Sequence, residues 1–114
     1  MADFIDTLVA RVKERRLIAS ADTQYDDEIE VVILEAQRYI SDRLLQFMEI
    51  DWEGYAEEDL LTDICCDIAT GIFIRRQMPT DMEGATWWGQ GIKKLESYIR
   101  ATFYRGRIIP CWSP

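Results

Sequence analysis

At 114 residues, with 48% hydrophobic and 30% charged side chains, the chain holds enough apolar material for one core and not for two. No apolar run nears the roughly 20 residues of a membrane span, and Asp3 and Asp6 argue against a signal peptide, so residence in a cytosol is expected. The formal charge is −8. Residues 1–62 carry 16 acidic and 6 basic side chains, against 5 and 7 in residues 63–114. Such a balance does not suit a protein that wraps nucleic acid, which needs clustered Lys and Arg.

Residues 3–16 read as a short amphipathic helix. Ile5, Leu8, Val9 and Val12 share one face, while Arg11, Lys13, Glu14, Arg15 and Arg16 are expected to stay wet. Leu17-Ile18-Ala19 is an apolar connector expected to tuck onto the body. Asp22 or Thr23 is placed to cap the next helix, with Asp26, Asp27 and Glu28 in its first turn. From there to about Glu49 no Gly or Pro intervenes, and Ile29, Val32, Ile33, Ala36, Ile40, Leu44 and Phe47 form a buried seam. This is expected to be the longest helix, a spine spanning roughly 40 Å. Residues 50–56 break the pattern around Gly54, and Trp52 and Tyr55 are expected to lie over the open end of the core.

The stretch from Leu60 to Pro79 is apolar round most of a helical circumference, which predicts a central helix packed on several sides. Its polar remainder is a narrow strip through Asp63, Asp67, Thr70 and Gly71. Glu57, Glu58 and Asp59 precede it, Arg75 and Arg76 close it, and Pro79 stops it. Thr80 with Glu83 fits a capping box for a last helix running to about Tyr104, with Trp88, Ile92, Leu95, Ile99 and Phe103 as its seam. Glu96 precedes Arg100 in the order that favours an ion pair. Gly89 and Gly91 weaken its first turns and can admit another backbone. Residues 107–114 hold two isoleucines and a tryptophan but also Pro110 and Pro114, so they cannot continue as helix. This tail either folds back over the domain or docks on another chain, and docking is preferred.

The expected fold is therefore all-α. It is a small bundle of about four helices with a long central spine helix over residues 1–106, and an extended C-terminal docking tail over 107–114.

No catalytic set is legible. There is no histidine, no nucleophile elbow and no phosphate-cradling Gly loop. Asp63 and Asp67 stand one helical turn apart, a spacing open to a divalent ion or to paired carboxylates, and equally to two solvated acids. The solvated reading is preferred. Cys65, Cys66 and Cys111 make an odd count and read as reduced, buried thiols rather than a disulfide framework or a zinc site. No cofactor and no metal are expected. Trp87 and Trp88 are successive helical residues that diverge by about 100°, so one of them is expected at a surface that something covers.

A capped long helix beginning near Asp22, a tight apolar helix containing Asp67-Ile68-Ala69 and ending in Arg75-Arg76, and a closing helix with Trp88, Leu95, Tyr98 and Gly106 together resemble the head–tail connector (head completion, or adaptor) proteins of tailed phages. The resemblance spans about residues 22–107. It implies a non-enzymatic structural protein of the virion, assembled in the host cytoplasm as a dodecameric homo-oligomeric ring beneath the portal protein. DNA would pass through its channel without specific binding, and a tail-side connector or stopper protein would dock below, with no membrane involved. The expected interface residues are Trp87, Trp88, Arg107, Ile108, Ile109, Pro110 and Trp112, the last five in the segment that would reach the portal. The alternative is a small acidic regulatory module that binds another protein through a helix groove.

Overall fold

The helix that is apolar nearly all round is the one the others pack against. In a computed structural model describing residues 2–19, 21–50, 52 and 60–103, four helices follow one another along the chain. They are α1 (Ala2–Arg15), α2 (Asp26–Leu44), α3 (Leu60–Gln77) and α4 (Met82–Phe103). Helix α3 packs against each of the other three. Its Leu61, Ile64, Cys65, Cys66, Ile68, Ala69, Phe73 and Ile74 are all buried, as a helix with so little polar surface requires. The fold is an all-α bundle of the expected size and helix order. The proposed tail over 107–114 lies outside the described residues.

Helix α1 contributes Leu8, Val9 and Val12 to the core, and α2 contributes Ile29, Val32, Ile33, Ala36, Ile40 and Leu44. Each large aliphatic side chain so buried contributes about 1.5–3 kcal/mol relative to exposure. Helix α2 nonetheless stops at Leu44 rather than near Glu49, and α4, at 22 residues against 19, is the longest. The N–H groups of Phe47 and Met48 turn back to the Leu44 carbonyl at 2.8 and 2.9 Å. Leaving the helix lets Phe47 stack on Phe103, with ring centroids 4.4 Å apart. Trp52 packs against the core beyond, donating its indole N–H to Ser41 Oγ at 2.9 Å.

The helix ends differ from expectation in chemistry more than in position. Tyr25 occupies the N-cap of α2 with no side-chain cap, and Asp22 instead accepts a bond from the Gln24 N–H at 3.0 Å. Ahead of α4, Asp81 rather than Thr80 serves the first turn, accepting from the Glu83 N–H at 2.8 Å. At the end of α1 the Ile18 and Leu17 N–H groups bond the carbonyls of Lys13 and Glu14 at 2.8 and 3.1 Å. That pair of bonds is a Schellman turn, and it sets Leu17 at φ 60 with its side chain 93% exposed. Of the apolar connector, only Ile18 meets the core.

Helices α3 and α4 approach through glycine. A Cβ on Gly71 would lie 2.7 Å from the Trp88 backbone nitrogen and 2.9 Å from the Gly84 carbonyl oxygen. Gly71, read from sequence as part of a wet strip, is buried. Farther along, a Cβ on Gly91 would meet Ile68 Cγ1 at 2.5 Å, whereas one on Gly89 would meet nothing within 4 Å. The two glycines beside the tryptophans thus have different roles.

Candidate functional site

Asp67 projects from α3 into the space between α1 and α4 and is 1% exposed. A carboxylate so placed must be paired. Arg15 of α1 donates from Nε to Asp67 Oδ1 at 2.9 Å and from Nη2 to Asp63 Oδ1 at 2.8 Å. Lys94 of α4 donates to Asp67 Oδ2 at 2.7 Å and to Asp63 Oδ2 at 3.0 Å. Asp67 is therefore not a solvated acid on a wet strip, whereas Asp63, with its side chain 37% exposed, stays partly in water. They anchor an ion cluster that joins three helices, and their four oxygens face cations rather than an open coordination site. Arg15 and Lys13, expected wet, are both drawn in. Lys13 is 4% exposed and pairs with Asp26 at 2.9 Å. The hydrogen bond to Asp67 is the main influence on Lys94, and it holds the ammonium pKa above its usual value despite some opposing desolvation.

Cys65 and Cys66 are buried free thiols, Cys66 within reach of the cluster's charges and Cys65 turned toward the Ile33 carbonyl of α2. Burial pushes the Cys65 thiol well above its ordinary range. It pushes Cys66 up to about 11, with Arg15 and Arg11 pulling the other way. Neither is poised as a nucleophile, because the thiolate is the reactive form. Cys111 lies outside the described residues.

The tryptophan pair diverges as successive helical residues must. Trp88 packs against the core with its ring centroid 5.3 Å from that of Tyr39. Trp87 lies under the Arg15 guanidinium at 5.7 Å, at the edge of the ion cluster. Both are partly buried. The other predicted interface residues, Arg107, Ile108, Ile109, Pro110 and Trp112, lie outside the described residues.

Two apolar features on the surface went unread in the sequence. On the outer face of α2, Val31, Leu34 and Leu45 are 45, 52 and 62% exposed. Their spacing of three and then eleven residues puts them in one line along the helix. A second stripe opposite the seam was there to be drawn, but one buried face already accounted for the helix. The other feature is an open groove of about 920 Å³ along α4, where Leu60, Tyr98, Ser97 and Ala101 are flanked by Lys93. The groove arises from the meeting of α4 with the first turn of α3, so no local sequence pattern marks it. Expected Glu96–Arg100 pairing is replaced by a bond across the bundle, Arg43 Nη2 to Glu96 Oε2 at 2.7 Å.

Comparison of the chain with models of known families, with curated proteins and with solved structures finds no match.

Proposed function

We propose that the chain is a structural, non-enzymatic subunit of a tailed-phage head–tail connector. It would form a ring beneath the portal protein, extend the DNA channel and receive a tail-side connector or stopper protein. The observation that carries the reading is the apolar surface one copy leaves uncovered, above all Val31, Leu34 and Leu45 on α2. Exposed aliphatic residues aligned on one helix face are what an assembly subunit would bury. The helix order adds support through the resemblance described above, and acid gathered in residues 1–62 suits a channel wall along which DNA slides. The apolar, Pro-containing segment 107–114 is assigned to the portal. Its removal should leave a folded domain that no longer co-sediments with portal particles, and undiminished co-sedimentation would refute that assignment.

The groove along α4 favours a second reading, an acidic regulatory module that receives a partner's helix. A regulatory module would stay small in the presence of portal, whereas a connector subunit would shift to the mass of the portal particle.

A further inference from the structure

We propose that the α2 stripe of one copy seats in the α4 groove of the next, so that the chain associates head-to-tail with itself. The proposal rests on the assembly reading and names the surfaces that reading leaves open. Shape is the first argument. Val31 and Leu34 project from one face of α2 with Leu45 about three turns farther along the same line, and Ser97 and Ala101, four residues apart, put small side chains in the lining of the groove. Small residues let a second helix come close, and an apolar ridge in such a groove is a recurrent docking mode.

Charge is the second argument. Asp27 and Glu30 are exposed next to the N-terminal end of the stripe, and Lys93 is exposed at the rim of the groove. Opposite charges across a contact fix its register, here the one that sets Asp27 and Glu30 at Lys93 and keeps Arg38, which lies between Leu34 and Leu45, about two turns away.

The third argument is direction. Helix α4 meets α2 through Trp88, Glu96 and Phe103, which contact Tyr39, Arg43 and Phe47. Lys93, Ser97 and Ala101 lie about half a turn round α4 from that side. Stripe and groove therefore face away from each other, and one chain cannot use its own stripe to fill its own groove. Contacts between unlike, opposed patches propagate, closing to a ring when the rotation permits and to a filament otherwise. A single helix face of this length sits at the small end of specific interfaces, so free association should be weak, at about 10 μM to 1 mM.

Sedimentation equilibrium on the full chain tests this. For the wild type, average mass should climb from the 13.4 kDa of one chain as concentration rises to about 1 mM. Leu34→Asp, with a damaged stripe, and Lys93→Glu/Ala101→Glu, with a damaged groove, should each remain single chains. Mixed in equal amounts they should form a dimer and nothing larger, because each supplies the face the other lacks. All the substituted positions are exposed, so thermal melts should stay near wild type. If one does not, Val31→Lys and Ser97→Glu carry the same test. The proposal is overturned if the wild type stays single, if the groove variant still self-associates, or if the stripe variant associates like the wild type. Any of these would leave the portal-binding reading standing, since a ring templated on portal does not require association in free solution.

Discussion

Arg15 and Asp67, 52 residues apart, meet through a 2.9 Å bond from Nε to Oδ1 that fastens α1 to the central helix. With Lys94 on the other oxygen, Asp67 ties three helices at one point. A buried charge stripped of its partner is far costlier than the intact pair is stabilising.

Asp67→Ala leaves Arg15, whose side chain is 17% exposed, with Asp63 as its one remaining carboxylate. It should lower unfolding free energy by about 2–3 kcal/mol, the loss of two charge-assisted hydrogen bonds. Lys94→Met removes a side chain that is 42% exposed but takes the donor from Oδ2 of buried Asp67, which keeps Arg15 on Oδ1, and should cost about 1–2 kcal/mol. Urea titration of both variants checks the contrast, and equal losses would show that the cluster is not organised around Asp67.

Stability should be lost at alkaline pH through the thiols and the ammonium. The Cys66 thiol, near 11 in the folded chain against an ordinary 9.0, ionises first in the unfolded chain. Stability is fully present below pH 9 and falls as pH rises through 11, by about 2–3 kcal/mol from this residue. Lys94, raised above its usual 10.5, loses its ion pairs in the same direction at higher pH. Urea midpoints measured from pH 7 to 11 should fall less steeply for Cys66→Ala than for the wild type. Parallel slopes would contradict the assignment.

Two glycine substitutions of identical chemistry should move stability in opposite directions. Gly71→Ala drives a methyl into backbone atoms of α4 at 2.7 and 2.9 Å, and no side-chain rotation relieves it. A loss of about 3 kcal/mol or more is expected. Gly89→Ala meets open space within a helix and should gain about 1 kcal/mol. Thermal melts of the pair decide it.

Leu17 holds a left-handed backbone conformation while its side chain contacts little. Replacing it with glycine removes the steric penalty at the C′ position and should stabilise the chain by up to about 1 kcal/mol. A lower melting temperature for Leu17→Gly would show that the exposed leucine contributes more than its position indicates.

The centrality of α3 was legible because circumferential apolarity is a property of the helix alone. The fate of Asp67 was not, because a polar strip is wet or buried according to what another helix brings to it, and Arg15 arrives from α1. The same holds for α2. Its seam was readable from period, but its end at Leu44 was not, since Phe47 beyond it stacks on Phe103 of another helix. Gly71 looked like part of the polar strip, since nothing local distinguishes a solvated glycine from one pressed against a neighbouring backbone. The outer stripe of α2 was written in the residues at 31, 34 and 45, whereas the groove exists only once α3 and α4 are packed.

The central claim, that this chain is an assembly subunit of a connector, is tested most directly by electron micrographs of the full chain mixed with purified tailed-phage portal particles. The account predicts class averages with one additional ring of density beneath the portal. Bare portals, with the chain remaining at 13.4 kDa in the same mixture, would contradict it.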